Sequence, residues 1–126
     1  MKNTIGLMVM IATIILAVGL AGAQTLTAVD INKAILSWTW VADGNGGIPD
    51  TFRMKCGNQT GVYTKITDVA YPTNSMPVKS AISGSGNWFC VVTASNQFGE
   101  SGPSNELPFV AGAIPSSPTS LTVLAQ

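Results

Sequence analysis

Residues 87–105 read NWFCVVTASNQFGESGPSN, and their pattern decides the fold. Trp88, Cys90, Val92 and Ala94 alternate with Phe89, Val91, Thr93 and Ser95, the period of a strand that buries one face. The run then stops at Asn96 and dissolves into Gly99, Gly102 and Pro103, residues that turn a chain rather than extend it. Only about a tenth of the chain is charged, so a strand this apolar belongs at the centre of a sheet with a second layer packed on it.

Working outward, the same period recurs in short pieces. TFRMKCG (51–57) sends Phe52, Met54 and Cys56 one way and Thr51, Arg53 and Lys55 the other. KAILSWTW (33–40) does the same with Ala34, Leu36, Trp38 and Trp40. TLTAV (25–29), GVYTKITDV (61–69) and NELPFV (105–110) are further strands; MPVKSAI (76–82) is a weaker one, which Pro77 confines to an edge or a strand start. VADGNGGIPD (41–50) is a loop on glycine and proline content alone. Seven short strands with turn chemistry between them predict an all-β, antiparallel sandwich with Leu36, Trp38, Phe52, Trp88, Val92 and Ala94 in its core.

Composition removes several classes of function. Formal net charge is zero and Arg53 is the only arginine, so there is no basic patch for nucleic acid. Histidine is absent, which takes away the usual general base, the commonest metal ligand and any Ser-His-Asp triad. Of the six carboxylates, Asp43 and Asp50 merely bracket one loop, and DGNGG lacks the glycine and glutamate spacing of a calcium-binding loop. No catalytic residue, cofactor or metal is expected.

The first segment pairs Lys2 with an apolar run from Ile5 to Leu20 and ends in Ala21-Gly22-Ala23. This is the pattern of a secretory signal, expected as a helix over 1–23 and cut before Gln24; the alternative is an uncleaved membrane anchor. Export favours a disulfide between the two cysteines, Cys56 and Cys90, over a pair of buried thiols. The protein is then expected to be secreted, periplasmic or at the cell surface.

The order of these pieces resembles a fibronectin type III domain across residues 24–111. ILSWTW is similar to the family's second strand with its core tryptophan, and DGNGGIPDTFRMK to its glycine-rich loop and third strand. ISGSGNWFCVVTASNQFGESGPSN places Ile82, Val92, Ala94, Asn96, Gly99, Ser101 and Ser104 where the family has those or similar residues. Trp88 stands where the family has a tyrosine whose hydroxyl bonds back to the main chain. The resemblance implies a seven-stranded immunoglobulin-like sandwich in which the third and sixth strands are antiparallel neighbours. Cys56 and Cys90 would then face each other across one sheet.

The same arrangement puts Phe89 and Val91 beside Arg53 and Lys55 on the outward face, either as a binding patch or as a strand covered by its neighbours' stems, with Arg53 over Phe89. With Asn96, Phe98 and Glu100 these residues form the expected binding surface, and loops 41–50, 57–61, 70–75 and 96–104 its surroundings. The tail AIPSSPTSLTVLAQ (113–126) begins as a Pro/Ser linker and ends in an echo of QTLTAV. It is a remnant of a second module, a strand for pairing with a sheet edge (self-association through 119–124), or an unstructured terminus. The functional expectation is a non-catalytic extracellular module for protein or carbohydrate interaction and adhesion, with Tyr63 or Tyr71 as possible glycan contacts. The alternative is a structural spacer or assembly part using the C-terminal strand.

Overall fold

The computed structural model describes residues 8–13, 26–44 and 46–125. Among these residues lie nine strands and one helical turn: β1 (Met8–Thr13), β2 (Thr27–Asp30), β3 (Ile35–Trp40), β4 (Thr51–Gly57), β5 (Lys65–Ala70), β6 (Ser75–Pro77), α1 (Val78–Ala81), β7 (Gly86–Asn96), β8 (Gly99–Glu100) and β9 (Leu107–Gly112). They form two layers. One sheet has the order β1-β3-β6; the other runs β2-β9-β7-β4-β5, with β8 paired to the far end of β7. The result is a small sandwich-like domain, consistent with an immunoglobulin-like or fibronectin-like arrangement.

The alternating faces meet between the layers. Leu36 and Trp38 from β3 pack with Phe52, Met54 and Cys56 from β4, Trp88, Cys90 and Val92 from β7 and Phe109 from β9. Trp38 meets Phe52 edge-on at 5.5 Å between ring centroids. Ile82 is buried where α1 hands over to the turn before β7.

Three features depart from the expectations. The predicted strand over 76–82 is only β6, after which Pro77 gives way to α1; Ile82 N–H donates to Val78 O and closes that turn. β2 runs parallel to β9, not antiparallel, because the Asp30–Ala34 turn carries the chain directly from one sheet to the other. Within that turn Asp30 O accepts from Lys33 and Ala34, and its carboxylate accepts from Asn32 N–H.

The third departure lies in the presumed signal. A helix is expected over 1–23, whereas Met8–Thr13 is extended and pairs with the whole of β3, from Met8 opposite Trp40 to Thr13 opposite Ile35. Val9, Ile11 and Thr13 are β-branched, and β3 offers a row of backbone groups at that edge. The remainder of 1–23 lies outside the described residues. No helix among the described residues is long and apolar enough to cross a membrane. The tail, 113–125, is exposed and adopts no regular structure, in keeping with the unstructured terminus among its readings.

Candidate functional site

β7 is the mast of the domain. Its first half pairs with β9 and its last two residues with β8, leaving Val91–Ala94 facing a segment that Gly102 and Pro103 bend away. Two serines repair the ladder. Ser104 Oγ accepts from Val92 N–H (3.0 Å) and Ser101 Oγ from Ala94 N–H (2.9 Å), while Ser101 and Ser104 donate their own N–H groups to Ala94 O and Val92 O. Trp88 Nε1–H donates to Gly84 O at 2.8 Å, tying the strand back to the turn before it.

On the same strand Cys90 stands directly opposite Cys56, with Cα atoms 4.2 Å apart, and the two are joined as a disulfide inside the core.

The outer face of this sheet is an ion-pair network. Arg53 Nε lies 2.9 Å from Asp68 Oδ1, and its Nη1 3.3 Å from Glu100 Oε1; Lys55 Nζ lies 2.6 Å from Glu100 Oε2, which also accepts from Thr93 at 2.8 Å. The hydrogen bond from Arg53 holds Asp68 below the usual carboxylate range, and those from Lys55 and Thr93 do the same for Glu100. The residues expected to form a binding patch therefore do not converge as one. Val91 is buried; Lys55 stands opposite it and turns its ammonium to Glu100. Phe89 is half-buried opposite Gly57 and Pro108, and Arg53 sits opposite Thr93, not over the Phe89 ring. Arg53 and Glu100 do meet, but they neutralise each other.

At one end of the sandwich, loop 57–61 is pinned down. Glu106 accepts from the hydroxyls of Thr60 and Tyr63 and from Gly61 N–H. Burial alone would push Glu106 up, but those three donors outweigh it and hold it below its ordinary value. Tyr63 is correspondingly pushed up to about 12, by burial first and by the Glu106 carboxylate second. Gly57 is obligatory here, since a Cβ would lie 1.8 Å from Val62 O.

The opposite end gathers the other loops. Asp50 N–H donates to Ser95 O and Tyr71 N–H to Asp50 O, which stitches loops 41–50 and 70–75 to the end of β7. Asn96 completes the join: its Nδ2 donates to Ile48 O (3.2 Å), and its Oδ1 accepts from Phe98 N–H (2.9 Å). A Cβ on Gly47 would meet that amide at 2.7 Å. On this braced end Phe98 is 87% exposed, Ile48 64% and Val41 54%. Tyr71, 39% exposed, is held edge-on to Trp40 and tilted against Phe52. Of the expected surface, only Asn96 and Phe98 belong here, Asn96 as the brace and Phe98 as the projecting ring. The exposure of Ile48 at this end and its tie to Asn96 were not foreseen; the available signal was a lone isoleucine set in a glycine-rich loop.

No family model matches this chain, and no curated protein or solved structure resembles it significantly.

Proposed function

We propose that this is a non-catalytic extracellular module of the fibronectin type III kind, which binds a protein partner through the end formed by loops 41–50, 70–75 and 96–98. The observation that carries this reading is a set of exposed apolar side chains, Phe98, Ile48 and Val41, on loops at one end of the sandwich that hydrogen bonds from Asp50, Tyr71 and Asn96 hold in place. Exposed apolar clusters on a rigid frame mark interaction surfaces, since little order has to be gained on binding. Mixed aliphatic and phenyl character suits a protein surface better than a sugar, which stacks on open aromatic faces. The disulfide and the leader-like first segment support the extracellular part of the proposal, and the two-layered sandwich supports the family part.

The test is a pull-down from the native extracellular milieu with wild type and with Phe98→Ser combined with Ile48→Ser. Partner capture should fall at least tenfold, with the melting temperature unchanged. Capture unaffected by the pair would defeat the reading. Retention on a glycan array, lost in the same variant, would replace the protein partner with a carbohydrate.

A further inference from the structure

The β1–β3 pairing and the free tail point to a common site. β1 lies inside the segment read as a cleaved leader, yet it fills one edge of β3 along its whole length and runs close to β7 and β9 of the opposite layer. Cleavage before Gln24 removes it. What remains of that sheet is β3 and β6 alone, packed on the other layer but with an open edge of β3 beside the core. We propose that this freed edge of β3 is filled by the tail strand, residues 121–125, of a second copy of the chain.

Sequence pattern and register agree with this occupant. In β1 the positions opposite Trp40, Trp38 and Leu36 are Met8, Met10 and Ala12: large, large, small. The tail repeats that order at the same spacing in Leu121, Val123 and Ala125. Leu121 and Val123 are fully exposed, at 102% and 95%, so they gain the most from a covered slot. Main-chain pairing along β3 supplies the rest, as in strand addition to any open sheet edge.

The donor is a neighbour rather than the same chain because of where β9 ends. Gly112 O accepts from Ile31 N–H, at the end of the sandwich where β3 begins, whereas an antiparallel partner of β3 must enter beside Trp40. A chain using its own tail would have to climb the length of the domain through Ala113–Pro118, stiffened by Pro115 and Pro118, and then reverse. A neighbour's tail enters directly. Because donor and acceptor surfaces differ, the contact propagates head to tail into open chains or closes into rings.

The inference rests on the extracellular reading only through leader removal, and Phe98→Ser should leave it untouched. The experiment uses the secreted, processed protein, a version ending at Gly112, and a synthetic peptide of residues 118–126. N-terminal sequencing should give Gln24, and sizing should show the processed protein at roughly twice the monomer mass or more. The version ending at Gly112 should be monomeric, and its melting temperature should rise with the peptide but not with a scrambled one. Leu121→Asp combined with Val123→Asp, both on exposed residues, should cut the oligomeric fraction at least tenfold. A retained Met1, a processed protein that stays monomeric, oligomers that persist in the double variant, or a peptide without effect on melting would each overturn the proposal.

Discussion

Trp88 and Trp38 both bury an indole in the core, and their polar atoms fare differently. Trp88 donates to Gly84 O, while the Trp38 N–H has no acceptor among the described residues. Phenylalanine at 88 should therefore cost about 2–3 kcal/mol, roughly one for the hydrogen bond and the rest for lost packing. At 38 the same change removes an unpaired donor as well as volume, and the two effects, about 1–2 kcal/mol each and of opposite sign, should nearly cancel. Urea unfolding of the two variants measures the difference. At Glu106 the check is optical. Tyr63 should ionise near 12 in the native protein, and Glu106→Gln should bring that point down without reaching the free-tyrosine value, because burial is the larger cause. An ultraviolet titration of the phenolate reads it directly.

At the scale of elements, β7 depends on side chains for half of the hydrogen bonds that bridge its Val91–Ala94 gap. Ser104→Ala leaves the Val92 N–H without its acceptor in a buried strand, at a cost of about 1–3 kcal/mol. Ser104→Thr should retain most of the stability, and hydrogen exchange at Val92 should be the first to accelerate in the alanine variant. The pH response is likewise a property of elements, since Asp68, Glu100 and Glu106 join β5, β8 and the lead-in to β9 to their neighbours. All three carboxylates are held below their ordinary values in the folded state. Their contribution is thus complete above the unfolded value, about pH 4, and is lost as pH falls through the lower folded values. Tyr63 acts at the other extreme: its contribution is complete below about pH 10 and disappears as pH rises through about 12. Melting temperature against pH should be flat in between, with the acid limb softened in Glu106→Gln.

For the molecule as a whole, the Cys56–Cys90 bond closes a loop with a sequence separation of 34 residues. Replacing both cysteines with alanine should lower stability by about 3–4 kcal/mol in the chain-entropy treatment, and reduction of the wild type should reproduce most of that loss. Denaturation with and without reductant checks both. How much of this molecule is legible along the chain depends on the range of the interaction. Alternation alone marks Leu36, Trp38, Phe52, Trp88 and Val92 as core, and glycine and proline mark the loops, because one-sided burial and turn geometry are written into neighbours a few residues apart. Which edges pair is another matter. The seat of β1 on β3, the parallel approach of β2 to β9, the pairing of Lys55 opposite Val91 and the tie of Asn96 to Ile48 all join residues far apart in sequence. Periodicity says which face of a strand is apolar but not what will lie against it. Only packing of the two layers, with every backbone donor seeking an acceptor, selects those partners.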